Sequence, residues 1–331
     1  MNFWQQLEKP FFILAPMEDV TDAAFRAIIA QHSKGNGGSY VTFTEFTSAD
    51  GLVFADERGQ EKLRAKFRYT ELERPIVAQI FSATPKHMEQ AAAIAREMGF
   101  DGIDINMGCP DRTVEKQGAG SALINNPQLA QEIIHATKEG AGELPVSVKT
   151  RVGYNENQLH EWLPMLLEAK PAVVTLHART RRELSKVPAR WDLIREAVTI
   201  RDAFWRSTEC QNEKTLIVGN GDVRDIAHAR ERVAQSGADG VMIGRGMFGN
   251  PWVMSEHVPT HAEKFKALIE HTELFEKEFA DIKSFAVMRK HFSSYVEGFP
   301  GAKELRNALM QCNSAAEVRG VLERALESSV A

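Results

Sequence analysis

Eight short apolar runs recur along this chain, and several are separated by stretches of helical periodicity. They are FFILAPM (11–17), YVTFTEF (40–46), PIVAQIF (75–81), GIDINMG (102–108), PVSVKTRV (145–152), AVVTLHAR (172–179), TLIVGNGD (215–222) and GVMIGRG (240–246). Most are continuously apolar and β-branched, the pattern of strands buried on both faces of a parallel sheet. Parallel neighbours need a crossover between them, commonly a helix. Eight strands alternating with helices predict an α/β fold, a (β/α)8 TIM barrel rather than an open sheet.

The intervening helices carry their own punctuation. TPKHMEQAAAIAREMGF opens on Thr84 as N-cap with Pro85 behind it. It turns Met88, Ala91, Ala92, Ala95 and Met98 to one face and stops at Gly99. NPQLAQEIIHATKEG repeats the design from Asn126 and Pro127, with Gly140 as the expected stop. Beyond NPWVMSEHVPTHAEK (250–264) only helical periodicity remains. Phe265, Leu268, Ile269, Thr272, Phe275 and Phe279 share a face, then come Phe285, Met288, Phe292, Tyr295 and Val296. The last helix opens on the capping box Ser314–Glu317. We therefore expect a barrel over residues 1–255 and an all-helical domain over 260–331. RDAFWRSTECQNEK (201–214) reads as an insertion before the seventh strand.

Three cysteines (Cys109, Cys210, Cys312), widely spaced and without a CxxC, exclude a disulfide framework and a cysteine-rich zinc site; no metal is expected. A net charge of −5 argues against nucleic-acid binding through overall charge, leaving local patches. No apolar stretch approaches a membrane span and no leader is visible, so the expectation is a cytoplasmic protein without a membrane or an obligate protein partner.

Barrel enzymes of this kind work at the C-terminal strand ends, and the polar residues gather there. Gln79 ends the third run; Asp104, Asn106 and Cys109 end the fourth. Lys149 and Arg151 share a face of the fifth, as do Thr175, His177 and Arg179 on the sixth. Asn220 and Asp222 close the seventh, Gly244 and Arg245 the eighth. GNGDV and IGRGMFGNP are glycine-rich and suit an anion, as barrel phosphate sites do. The stretch 244–249 also matches GxGxxG, but it follows the eighth strand rather than the first of a βαβ unit, so the dinucleotide reading is the weaker one. Lys149 in an apolar strand needs an anion or an acceptor. It either faces a cofactor edge such as a flavin carbonyl, or pairs with Asp104 or Asp222. A lone cysteine is more often inert core; beside Pro110 at the active end, Cys109 can instead donate a proton.

In order, APMEDVTDAAFR (15–26), AQIF (78–81), DINMGCP…KQGAGSALI (104–124), VKTRVG (148–153), LHARTR (176–181), GNGD (219–222) and MIGRG…GNPW (242–252) resemble the dihydrouridine synthases. The resemblance runs from about residue 11 to 255, and MRKHFSSYVEGFPGAKELRNAL (288–309) is similar to their C-terminal helical domain. It implies an FMN barrel that reduces the 5,6 double bond of uridines in tRNA, with NADPH as reductant. Pro16, Met17 and Glu18 then match the first flavin loop. Gln79, Lys149 and His177 match residues around the flavin ring and ribityl chain. Asn220, Gly221, Asp222, Gly244 and Arg245 match the ribityl–phosphate end. Cys109 matches the proton donor and Asn106 its partner at the uracil. Glu18 stands where many members carry a small residue, and LSKVPARW replaces a shorter pattern; both departures bear on substrate choice.

For RNA contact the sequence offers Lys283, Arg289, Lys290, Lys303 and Arg306 as a basic stripe, with Arg289 and Lys290 as the expected substrate contacts. Arg179, with Arg181 and Arg182, forms a second patch at the barrel mouth. The rivals are a flavin reductase of a free pyrimidine or another enone, and a catalytically silent RNA-binding protein.

Overall fold

The computed structural model describes residues 2–207 and 214–330. Its strands are β1 (Phe11–Leu14), β2 (Thr42–Phe43), β3 (Thr47–Ser48), β4 (Ile76–Phe81), β5 (Gly102–Met107), β6 (Val146–Arg151), β7 (Val173–His177), β8 (Leu216–Asn220) and β9 (Gly240–Ile243). All pair in parallel in the order β1-β9-β8-β7-β6-β5-β4-β2, with β3 also on β4. A parallel bridge between Ile13 and Val41 brings the two ends together. Across it Leu14 N–H donates to the Val41 carbonyl and Val41 N–H to the Phe12 carbonyl, both at 2.9 Å. This is the expected TIM barrel. The second run departs from expectation by splitting into two short strands. Between them the Thr44 hydroxyl accepts the Gln79 N–H at 3.0 Å and Glu45 turns inward, fully buried.

Around the barrel lie α1 (Ala23–Ser33), α2 (Ala49–Phe54), α3 (Glu57–Lys66), α4 (Pro85–Glu97), α5 (Arg112–Lys116), α6 (Pro127–Ala141), α7 (Leu159–Glu168), α8 (Trp191–Arg206) and α9 (Ile226–Ser236). The predicted face of α4 holds: Met88, Ala91, Ala92 and Ala95 are fully buried, and Met98 is partly buried against the same core. Two local expectations do not. Thr84 has N-cap geometry, but its side chain makes no capping bond. Gly140 lies inside α6, which ends at Gly142 with φ of 62°. Gly140 is needed for close approach: a Cβ there would overlap the Glu89 backbone on α4. Residues 201–206 of the supposed insertion finish α8, where buried Arg201 bonds Asp239 at 2.7 Å. Residues 208–213, with Cys210, lie outside the described residues.

A ring of Phe11, Ile13, Val41, Phe43, Val77, Val173, Leu216, Val218 and Met242 fills the barrel interior, and Trp4 packs against it. Each such side chain contributes roughly 1.5–3 kcal/mol on burial. The C-terminal helices are α10 (His261–Phe279), α11 (Arg289–Tyr295), α12 (Ala302–Leu309) and α13 (Ala315–Val330). Their core, including Phe265, Phe275, Phe279, Phe292 and Leu322, also takes in Ala23 and Ala24 of α1. The last helix starts as expected at Ser314, whose Oγ accepts the Glu317 N–H, though Glu317 reaches back to Asn313 N–H. Among the described residues, no helix is long and apolar enough to cross a membrane.

Candidate active site

At the C-terminal strand ends lies a cleft of about 230 Å³. Pro16, Met17, Lys149, Arg151, His177, Arg179, Asn220, Gly221, Asp222, Gly244 and Arg245 line it. Four basic side chains meet one carboxylate, Asp222, so the cleft suits an anion. Asp222 adopts a left-handed backbone (φ 54°), a costly conformation for a side-chain residue. Three partners hold it: Arg179, the Ala189 N–H at 2.8 Å, and Arg245 at 2.7 Å. Although burial opposes them, these partners keep its carboxyl below the ordinary range. Gly221 (φ 131°) is pressed against Ala189 and His177, leaving no room for a side chain. Asn220 Nδ2 ties β8 to β9 by donating to the Met242 carbonyl at 2.9 Å.

The alternative reading of Lys149 does not hold. Asp104 accepts instead from Gln79 at 2.7 Å and Ser147 at 2.6 Å, and Asp222 is taken by the arginines. Among the described residues Lys149 has no ion pair or hydrogen bond from its ammonium. Burial, reinforced by Arg151, lowers its pKa to about 8. His177 is held neutral by burial and by Arg151, Lys149, Arg179 and Arg245. Arg179 donates to its Nε2 at 3.0 Å, which leaves the proton on Nδ1.

Asn106 pairs in register with Lys149, so the segment bearing Cys109 leaves the barrel beside that lysine. The Asn106 Oδ1 accepts the N–H groups of Gly108 (3.1 Å) and Cys109 (2.9 Å), while its Nδ2 donates to Gln79 at 3.3 Å. Asn106 therefore shapes the loop, and Gln79, fully buried, links it to Asp104 and does not line the cleft. The Cys109 thiol is half-buried, and burial raises its pKa although the Asp111 N–H, Lys149 and Arg151 favour the thiolate. It remains a thiol at neutral pH, suited to giving up a proton rather than to attacking.

Cys109 lines a second opening, a groove of about 650 Å³ that also includes Glu18, Phe46, Lys66, Phe81, Pro110 and Asp111. Glu18, expected beside the flavin, faces this groove and pairs with Lys66. Its carboxyl is raised by burial and lies with those of Asp19 and Glu45, one oxygen of each within 4.8 Å of the others.

Sequence reasoning misses the bracing of the Cys109 loop. Arg151 Nε donates to the Gly108 carbonyl at 2.8 Å and its Nη1 to those of Thr180 and Leu184 at 3.1 Å. Ser121 Oγ lies 2.8 Å from both the Cys109 carbonyl and Glu115, one hydroxyl proton between two acceptors. Glu115 in turn holds Arg181. The signal for this is the KQGAGS segment, whose Ser121 acts through Glu115, a residue held in turn by Arg181, 66 positions further along the chain.

The expected RNA patches change character. Arg179 is 2% exposed and serves the cleft, because its guanidinium is consumed by Asp222, His177 and Val187. Arg289 bonds Asn313 at 2.9 Å, and Arg306 the Val296 carbonyl at 2.9 Å. Lys283 turns toward Asp19, Asp22 and Glu45 at 3.6–3.9 Å, and Lys290 bonds the Asp19 carbonyl. Of the supposed stripe, Lys283 and Lys290 thus join the C-terminal helices to the barrel, Arg289 and Arg306 bond within those helices, and Lys303 is exposed. The loop after β9 is part of that junction. Gly249 packs against the Ser294 backbone, and Phe248 stacks on buried His291 with ring centroids 5.8 Å apart.

Comparison with known proteins fits this arrangement. Residues 13–331 match the family described as Dihydrouridine synthase (Dus). A Staphylococcus aureus (strain COL) protein named probable tRNA-dihydrouridine synthase is 42% identical over 326 residues, 97% of this chain and 95% of that one. Probable tRNA-dihydrouridine synthase 2 of Bacillus subtilis (strain 168) is 40% identical over 328 residues, 97% and 96%. Among solved structures, morphinone reductase in complex with tetrahydroNAD aligns with a TM-score of 0.47 and 14% identity, over 73% of this chain and 84% of that one. A match that spans barrel and C-terminal helices alike, with relatives at this identity over nearly their full length, means that the chain belongs to the dihydrouridine synthase family and is an oxidoreductase of that family.

Proposed function

We propose that this protein is a cytoplasmic tRNA-dihydrouridine synthase that holds FMN in the cleft and takes its reducing equivalents from NADPH. The observation that carries the reading is the unpartnered ammonium of Lys149, at the inner end of a cation-rich cleft and next to the Cys109 loop. Such a group fits the electron-rich edge of a flavin, while Arg245, Gly244 and Gly221 fit its phosphate end. Pro16 and Met17 would close one side, and neutral His177 would offer its Nδ1 proton. The chemistry a bound FMN supplies, once reduced, is hydride donation to carbon 6 of the uracil.

The chain does the rest. Cys109 keeps its proton at Sγ because burial disfavours the thiolate, and delivers it to carbon 5. Asn106, Arg151 and Ser121 fix the loop so that the thiol meets the base in one geometry. The helical region 260–331 would hold tRNA while the target nucleotide is turned into the groove. Lys290 stands at the rim for this, and Arg289 sets the position of the neighbouring turn.

The test begins with the absorbance spectrum of the purified protein, heat release and mass identification of the cofactor. Released FMN, and dihydrouridine in tRNA incubated with the protein and NADPH, are the expected results. A protein that stays colourless after incubation with FMN would sink the reading.

A further inference from the structure

We infer that α3 is a phosphate-binding rail for the RNA strand that presents its nucleotide to Cys109, with Lys66 leaving Glu18 to take a phosphate. This rests on the proposed function and adds to it a binding surface on the barrel itself.

The groove beside Cys109 has two kinds of wall. Phe46 and Phe81 meet edge to face with centroids 5.6 Å apart and offer an apolar surface to a planar base. At the rim, the Lys66 ammonium lies 6.0 Å from the Phe46 ring centroid and on Glu18. Glu18 is a poor permanent partner: burial disfavours its charge, and Glu45 and Asp19 crowd it. A phosphate entering with the base would draw Lys66 away, and Glu18, crowded by Asp19 and Glu45, would take up a proton from solvent in its place.

Lys66 also ends a row. Arg58, Lys62 and Lys66 follow one another at intervals of four residues, so they share a face of α3 with a spacing of about 6 Å. That spacing suits successive phosphates of an extended strand. Arg58 and Lys62 are exposed, and among the described residues neither makes an ion pair. By contrast, Lys283, Arg289 and Arg306 are engaged within the protein. Arg58 and Lys62, free and leading along α3 to Lys66 at the groove, mark a path for the RNA strand.

The test measures the affinity of the holoprotein for an unmodified tRNA transcript across a salt series. Removing one cation that neutralises a phosphate should flatten the slope of log K against log salt by about 0.7–0.9. Lys66→Met is expected to lose one such step and weaken binding about tenfold. The surface pair Arg58→Glu and Lys62→Glu, which leaves the groove untouched, should lose more than one. Glu18→Gln should act in the opposite direction and tighten binding severalfold, because it frees Lys66. An unchanged slope in both the Lys66 variant and the surface pair overturns the rail. So does Glu18→Gln weakening binding as Lys66→Met does, since the pair would then be only structural. Dihydrouridine formation by the parent protein is measured alongside. Its absence would sink the proposed function, whereas an active parent with unaltered variants would sink the rail alone.

Discussion

Cys109 and Lys149 stand on neighbouring strand ends, and burial acts on them in opposite senses. It raises the thiol, which keeps its proton, and lowers the ammonium, which is pushed toward losing one. For Cys109 the proposed acid role predicts that Cys109→Ser retains flavin but forms dihydrouridine about 10²–10⁴-fold more slowly, the range for removal of a positioned acid. The parent rate should stay level through neutral pH and fall only above the ordinary thiol range of about 8.5. A fall centred near pH 6 would point to another group. For Lys149 the prediction has two signs. At pH 7 its charged form carries the cost of burial without a partner, so Lys149→Met should stabilise the apoprotein by about 1–3 kcal/mol. The same change should weaken FMN binding at least tenfold. Thermal unfolding of apoprotein and flavin titration read the two effects separately.

Among the elements, Glu115 of α5 and Arg181 join the segments that follow β5 and β7. Arg181 is partly exposed, so Glu115→Gln should cost at most about 1 kcal/mol in stability. It should slow turnover more than that figure implies, because Arg181 and Ser121 would lose the carboxylate that seats them both beside the Cys109 loop. A kcat equal to that of the parent would remove this brace from the mechanism. Gly140→Ala tests a different kind of packing. Its Cβ would press on the Glu89 backbone between α4 and α6, and thermal unfolding should report a loss of about 1–3 kcal/mol. The strands and helices are legible in the sequence because apolar periodicity states them directly. Gly140 reads wrongly as a stop because a helix-ending glycine and a helix-crossing glycine look alike in one dimension. The cleft residues are legible as strand ends. The bonds of Asn106 to the Cys109 loop, and of Gln79 to Asn106, are not, because a hydrogen-bonding side chain does not announce its partner.

For the molecule as a whole, charge at the seam between barrel and C-terminal helices matters most. Lys283 is the cation nearest three carboxylates, among them buried Glu45 and Asp22. Lys283→Met should destabilise by about 3 kcal/mol at pH 7, the low end for an orphaned buried charge. Burial, with Glu45 next, raises the Asp22 pKa to about 6, above its unfolded value of about 3.9. Folded Asp22 therefore binds its proton more tightly, and its contribution is full below about pH 4 and lost as pH rises through 6. The deficit of the variant relative to the parent should accordingly shrink between pH 7 and pH 5; a constant deficit would mean that Asp22 does not titrate there. This seam also explains why the RNA surface is hardest to read. Basic residues in sequence carry no mark of whether they are spent inside the protein.

The glycine at 249 sets a limit on how such proteins can be recombined. Its backbone lies against that of Ser294, so the loop at the mouth of the barrel and α11 fit as lock and key. Barrel and helices are therefore not interchangeable parts: a chimera joining this barrel to the helices of a relative inherits a barrel-mouth loop shaped for a neighbour it no longer has.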